Sequence, residues 1–544
     1  MTPELDPVPT TADHTAPESW FLRRVPLGGA PISVALQEDP SLHGWLADRP
    51  AHADAWRARV GEVQARSRSV DWLSPLLPAI AATGLAAERL ARAASGGVVV
   101  TTGQQPGLFG GPGYTWSKAL SALAMADALE EATGVPVAPI FWAATDDADW
   151  AEAAVTQLAT ARGLETLTLQ GPATDGVAMA DVLLGPVGPL LDALRAASGS
   201  AAADSVLRIV EQAYVPHATI GEAYVQLLRA LLEPLGIAVL DASHPALRTA
   251  ADPCIRRALQ HAPAVHEALA TRTRAIAAAG YAPQVDVVDA LSLVFRTQPG
   301  STGHARDRAR TRVPIAEASR VLREADVGTL GANVLLRPVI ERALLPTVAY
   351  HAGPGEYAYF AQVAPVAEAL GLEVPLAIPR WSGEIIDRRA ESMRERLGLD
   401  SSLLRDPHAA ESRVARDAVD VNVQDAIERL RLAIETQALA VRDAIADAAG
   451  DASAVVAPHV VAGLSRDLTQ RLDRFERRVV AGVKRRETTL LRDVAFVRAA
   501  LRPEGHSPER RLNLLPMLAR FGSAIFDAMR QDARAYAERL VQGR

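Results

Sequence analysis

VVVTTGQQPGLFGGPGYTWSK, residues Val98 to Lys118, is the stretch whose reading decides the fold. Val98-Val99-Val100 is a β-branched run that reads as a buried strand. It breaks into a loop holding Gly103, Gly107, Gly110, Gly111 and Gly113, and an alanine- and leucine-rich helix follows from about Ser117 to Glu131. Strand, glycine loop and helix in that order point backbone N–H groups and a helix N-terminus at an anion. Of 57 basic residues only Lys118 and Lys484 are lysine, so Lys118, on the first turn after the loop, reads as a position where a compact ammonium is wanted. Thr102, Gly103, Gln104, Gln105, Gly110, Gly111 and Lys118 are therefore candidate contacts to substrate or nucleotide. The spacing matches neither G-x-G-x-x-G nor the Walker pattern, so it names no nucleotide class, and plain turn chemistry is the competing reading.

Composition sets the frame. At 544 residues, with 49% hydrophobic and 22% charged, the chain reads as globular with about two to four domains. No apolar run reaches the roughly 18 residues of a membrane span. Residues 1–19 are proline-rich and acidic and lack the pattern of a signal peptide, so they read as a flexible lead-in. Cys254 stands alone, which excludes an intrachain disulfide and a cysteine metal cluster and suits a reducing cytoplasm. A net charge of −7 argues against general nucleic-acid binding.

Outward from the opening stretch, residues 20–95 read as helical. Val135 to Ala144 and Gly236 to Ser243 are further strands, and the alternation predicts a parallel α/β sheet. Residues 283–296 read as a strand pair, followed by a Gly- and Arg-rich hairpin region over 297–312. Asn333 to Tyr350 leads to a second loop, His351-Ala352-Gly353-Pro354-Gly355-Glu356, and a second helix. Beyond Ile385 apolar residues step by three and four, through Val423, Ile427, Leu430 and Ile434 and again through Val461, Leu464 and Leu468. This predicts an antiparallel helical hairpin with coiled-coil character. The expected division is a Rossmann-like core with insertions at 20–385, a coiled-coil hairpin at 386–505, and a helical segment at 506–544 that returns to the core.

Chemistry is expected where strands end. FWAA runs into Thr145-Asp146-Asp147-Ala148-Asp149, and ligands of open α/β sheets sit beyond the carboxyl ends of the strands. Asp146, Asp147 and Asp149 read as catalytic, able to hold an amine or Mg²⁺ or to act as a base, with helix capping as the plain alternative. No resident metal site is assigned. Trp142 joins the binding group. Gln104 and Gln105 suit a sugar hydroxyl or carboxylate. Asn333 and Arg337 precede the second loop; Arg337 reads either as an anion clamp or as an i,i+4 partner of Glu341. His351 reads as a group able to titrate near neutrality, Gly353 and Gly355 as loop contacts, and Glu356 as an amine binder. Cys254 reads as a packed residue rather than a nucleophile.

These segments resemble the cysteine-adding enzyme family of bacillithiol biosynthesis. The likeness rests on Thr102–Lys118, on FWAATDDADW (Phe141 to Trp150), on NVLLRPVIERALLPTVAYHAGPGEYAYF (Asn333 to Phe360), on Pro379-Arg380, and on RPEGHSPERRLNLLPMLARFG (Arg502 to Gly522). The resemblance implies a Rossmann-like core, a coiled coil that makes a homodimer, and ligation of L-cysteine to the amino group of glucosaminyl-malate as the last step of the pathway. It also implies activation by ATP or another nucleotide, and it adds Arg380 to the binding residues. The family pattern after the FW strand is Glu-Asp-His-Asp, whereas this chain has Asp146, Asp147, Ala148 and Asp149. Another nucleotide-dependent ligase or nucleotidyltransferase, or a non-catalytic nucleotide- or sugar-binding dimer, is the alternative.

Overall fold

The computed structural model describes residues 19–171, 176–199, 204–299, 308–449 and 458–543. The expected lead-in at 1–19, all but its last residue, and the tip of the hairpin region at 300–307 lie outside these. The described chain divides into two compact units. One comprises Leu22–Leu158, Glu165–Ile385 and the stretch from Pro508 onward; the other is built on Ile386–Ser507.

The first unit is organised by a parallel sheet. Its strands are β1 (Val98–Gln104), β2 (Val137–Ala143), β3 (Ala238–Asp241), β4 (Thr347–Ala352) and β5 (Ala377–Pro379). They lie in the order β5-β4-β1-β2-β3, with Val98 opposite Val137 and Tyr350 opposite Thr101. Val98, Val99 and Val100 are completely buried, as expected of strands covered on both faces. The chain builds outward from β1 through β2 to β3, then returns to place β4 on the other side of β1. The loops after β1 and β4 therefore diverge, which opens a crevice at this topological switch point. Helix α1 (Tyr114–Thr133) follows β1 and is buried nearly throughout; helix α2 (Pro354–Ala369) follows β4. The chain's last long helix, α3 (Ala524–Gln542), packs along α1, with Phe526 5.6 Å from Trp116 between ring centres.

Two local expectations are corrected. Trp20–Arg24 is a strand, not helix, in keeping with its apolar Trp20-Phe21-Leu22 run. Residues 283–290 form no strand. The antiparallel pair instead joins Leu291–Pro299 to Arg308–Pro314, with Leu330–Ala332 on the other side of the first of these. Asp286 and Asp289 interrupt the valines before it, and Ala290 has a φ of 61° that ends the extended run there.

In the second unit, Val421–Ala449 and Pro458–Arg486 are helices of 29 residues each. Arg431 reaches Asp473 at 2.7 Å and Glu476 at 2.9 Å, while Val419 packs with Val480, so the helices run antiparallel. Leu430, Leu432, Leu439, Leu464 and Phe475 remain exposed. No helix among the described residues is long and apolar enough to cross a membrane.

The glycine loop owes its shape to a residue far along the chain. Phe109 sits at φ 54°, a left-handed conformation disfavoured for a bulky side chain. Asn513 holds it there: its amide nitrogen donates to the Phe109 carbonyl at 2.8 Å and to those of Gly111 at 3.2 Å and Leu108 at 3.4 Å. Asn513→Ala should leave the Phe109 and Gly111 carbonyls without this donor and lower unfolding free energy by about 1–3 kcal/mol, read from denaturant midpoints. An unchanged midpoint would show that the loop holds its shape without Asn513.

Candidate functional site

The crevice at the switch point is a cleft of about 790 Å³, within the usual range for small-molecule sites. Gly103, Gln104 and Gln105 line it from the β1 side, Asp146 and Asp147 from beyond β2, and Gly353, Gly355 and Glu356 from the β4 side.

Lys118 ties its two sides together. Its ammonium donates to the Gly103 carbonyl at 2.8 Å and to Gln104 Oε1 at 2.7 Å, and it pairs with Glu356 Oε2 at 2.5 Å. All three donors are thus used inside the protein. Glu356 also accepts from the Gly353 N–H at 2.7 Å and the Tyr350 hydroxyl at 2.5 Å. The expectation that Glu356 receives a substrate amine is corrected, because the Lys118 ammonium holds that place.

The first glycine loop is not a phosphate cradle. The Gly110 N–H donates to the Gly107 carbonyl and meets the Tyr214 hydroxyl, the Gly111 N–H bonds Leu108, and the Gly113 N–H bonds Leu512. Gly110 and Gly111 lie outside the cleft lining, and the first turn of α1 is covered by the segment around Asn513. Thr102 is likewise internal, its hydroxyl donating to the His351 carbonyl across the sheet. The helix N-terminus that does open on the cleft is that of α2, through Gly353, Pro354 and Gly355.

His351 is corrected as well. It is completely buried, does not line the cleft, and desolvation pulls its imidazole down to about 3. It stays neutral at physiological pH. Cys254, half-buried, has its thiol pushed up to about 11 by burial and is no nucleophile.

The carboxylates after β2 divide by role. Asp149 is exposed, absent from the cleft wall, and caps the short helix Trp150–Ala153 by accepting from the Glu152 N–H at 3.1 Å. Its catalytic assignment gives way to the capping alternative. Asp146 lies 4.0 Å from Arg310. Asp147 accepts the Ala148 and Asp149 N–H groups at 2.6 and 3.2 Å, both on Oδ1. Burial, then the nearby Asp146 charge, raises its carboxyl above the ordinary range. Among the described residues no group of three or more His, Cys, Asp or Glu is arranged to hold a metal ion.

Arg337 takes its i,i+4 reading. It bonds Glu341 at 2.9 Å and the Tyr350 hydroxyl at 3.1 Å, and its guanidinium lies over the rings of Trp142 and Tyr350 at the cleft wall. Asn333 lines the cleft while its Oδ1 caps the following turn at Leu335 and Leu336. Arg380 borders the cleft, but its charge is met by Glu509 at 2.6 and 3.1 Å.

Several cleft residues escaped the sequence reading. Glu152 is gripped by Gln105 at 2.5 Å and the Tyr114 hydroxyl at 3.1 Å, and weakly by Gln104 at 3.4 Å. Surrounding protein raises its carboxyl, although the cleft mouth leaves it accessible. Tyr114 lies inside the quoted Thr102–Lys118 stretch and Glu152 two residues beyond Trp150, so proximity is the available signal. Arg310 and Arg312 come from the arginine-rich hairpin region, where alternation along one strand puts both on one face.

A unit with a cleft at the switch point of its parallel sheet, and a second unit built on a helical hairpin, define a Rossmann-like protein carrying a coiled-coil unit. The family descriptions "Bacillithiol biosynthesis BshC, N-terminal Rossmann-like domain" and "Bacillithiol biosynthesis BshC, C-terminal coiled-coil domain" match residues 32–381 and 385–539. The chain belongs to this bacillithiol-biosynthesis family. It is 31% identical over 444 residues to a protein of Solibacter usitatus, covering 80% of this chain and 83% of that one. It is 31% identical over 465 residues to one of Koribacter versatilis, covering 84% and 85%. Both carry the name "Putative cysteine ligase BshC". On this membership the chain is a ligase of bacillithiol biosynthesis.

The raised Asp147 carboxyl has a consequence for stability. A carboxyl whose folded pKa exceeds its unfolded value binds its proton more tightly when folded, so the native state loses stability as pH rises through that value. Asn at this position mimics the protonated form and keeps the Oδ1 acceptor. Asp147→Asn should therefore be at least as stable as the parent at pH 7, with the difference closing as pH falls toward 4. Thermal melts across that range test it, and a variant less stable at pH 7 than at pH 4, relative to the parent, would contradict it.

Proposed function

We propose that the cleft joins the carboxyl group of L-cysteine to the amino group of glucosaminyl-malate, the last step of bacillithiol assembly. The observation that carries this is Asp147, a carboxylate of raised proton affinity beyond the end of β2 in a cleft of small-molecule size. Amide formation requires a neutral amine and an activated carboxyl. Asp147 attracts the substrate ammonium and accepts its proton as the nitrogen bonds the carboxyl carbon and the activating group departs with its electron pair. Asp146 keeps that proton affinity high. This assigns to Asp147 the proton transfer for which Ala148, in place of the family histidine, has no group. Gln104, Gln105, Tyr114 and Glu152 offer donors and acceptors matched to sugar hydroxyls, and Trp142 and Arg337 wall the opposite side. A nucleoside triphosphate with Mg²⁺ would supply the activation. Gly355 at the start of α2 is the residue that would hold its phosphates, since the N–H groups of Gly110, Gly111, Gly113 and Gly353 are used internally. The reaction belongs in the cytoplasm, where cysteine stays a thiol.

The test is to incubate the protein with cysteine and glucosaminyl-malate, with and without ATP, and to detect the amide product by mass spectrometry. Asp147→Asn should lower kcat by about 100-fold or more, the scale of general-base catalysis, while changing KM little. No product from the parent under either condition would overturn the reading.

The coiled coil is assigned to self-association. Leu430, Leu439, Leu464 and Phe475 are about half exposed, and two copies would cover this apolar surface. Light scattering should give about twice the 57.7 kDa chain mass; a monomer at micromolar concentration would refute it.

A further inference from the structure

The cleft holds an unequal balance of charge. Of its cations, Lys118 is met by Glu356, Arg337 by Glu341 and Arg380 by Glu509, while Arg310 faces Asp146. Arg312 is different. Its Nε donates to the Ser292 carbonyl at 3.1 Å, which fixes the side chain, and among the described residues no carboxylate pairs with it. Arg510 is also unpaired but is exposed and free to reorient. Arg312 is only partly accessible, and burial alone lowers the proton affinity of its guanidinium, with no anion to offset it. A cation held this way, partly desolvated and uncompensated, is costly unless an anion arrives from outside.

Its placement says which anion. Arg310 and Arg312 project from the same face of one strand, Arg312 opposite Phe295 and Arg310 opposite Thr297. The two positions are about 7 Å apart along that strand. Arg310 donates to the Asp146 carbonyl, so it stands against the Asp146-Asp147 turn. In glucosaminyl-malate the amine is on the sugar carbon next to the glycosidic one. Five bonds separate it from the nearer malate carboxylate, a span of about 6 Å. An amine at Asp147 thus brings a malate carboxylate to the neighbourhood of Arg312.

We infer that Arg312 is the specificity determinant for the malate moiety, its guanidinium fork receiving a substrate carboxylate while the amine lies at Asp147. This rests on the reading of the cleft as the glucosaminyl-malate site. A guanidinium offers two parallel donors to a carboxylate, which a lysine does not. Arg312 thereby distinguishes the malate conjugate from any glucosaminide lacking the acid.

Calorimetry tests this with two ligands, glucosaminyl-malate and methyl glucosaminide, which keeps the amine and sugar but has no carboxylate. Arg312→Gln should weaken glucosaminyl-malate by at least about tenfold, and Arg312→Lys should restore part of the loss. Methyl glucosaminide should bind all three proteins alike. Equal affinity of the parent and Arg312→Gln for glucosaminyl-malate overturns the inference. So does an equal loss for both ligands, which would mark a merely structural role. Because binding is read without turnover, a parent that binds glucosaminyl-malate but makes no amide defeats the proposed reaction and leaves the Arg312 result to stand separately.

Discussion

The cleft depends on one buried ammonium. Lys118 rises from the second turn of the helix after β1, only 5% of its side chain is exposed, and it meets acceptors from both loops of the switch point. Burial pulls its proton affinity down while the Glu356 charge opposes that shift. An ammonium in such surroundings is tolerated only with its donors satisfied, so the positions of Gly103, Gln104 and Glu356 are coupled. The parallel sheet makes the two loops diverge; Lys118 sets how far. A guanidinium is planar and larger and cannot serve three acceptors arranged around one point. This gives a physical reason for one of only two lysines in a chain that otherwise uses arginine.

The same economy of pairing accounts for the walls. Glu356 is saturated by Lys118, Tyr350 and the Gly353 N–H; Arg380 is saturated by Glu509, which also accepts from Ser382. Asn513 and Glu509 both come from the C-terminal segment, so residues some 400 positions from the glycine loop hold the shape of its turn and neutralise the cleft's most buried arginine. Groups that read as ligand contacts by type are here the frame; on the proposed reading, chemistry falls to Asp147 and Arg312, neither of which is met by an oppositely charged side chain within 4 Å among the described residues.

The parts of this that were legible in the sequence follow from the range of the interactions involved. Val98–Val100, the FW strand and the loop at Gly353 announce a parallel sheet through local pattern, and the helical hairpin follows from its apolar period. Lys118 stands out by rarity, and the structure sets it in the cleft wall with Glu356 as its ion-pair partner. The misassignments share a cause. Whether Gly110 or His351 faces a cleft depends on what covers it, and the cover is supplied by β5 and by the segment around Asn513, distant in sequence. Asp149 was misread because a cap and a catalytic carboxylate have the same residue type and position at a helix start. Arg312 is hidden inside a run of arginines, where the sequence does not separate it from Arg310, which is held at Asp146.

On the proposed reading of the cleft, that distinction bears on how Asp147 can serve where the family pattern the chain resembles has a histidine and this chain has Ala148. An imidazole beside the amine would supply a base of near-neutral pKa by its own nature. A carboxylate must be raised to do so, which demands burial and a like-charged neighbour. Asp147 has both, in partial burial and Asp146. Arg310 opposes the rise from across the turn, but it is itself turned toward the backbone carbonyls of Asp146 and Ala332. Its attraction is thus spent largely on fixing the turn, and the carboxylate keeps an elevated proton affinity.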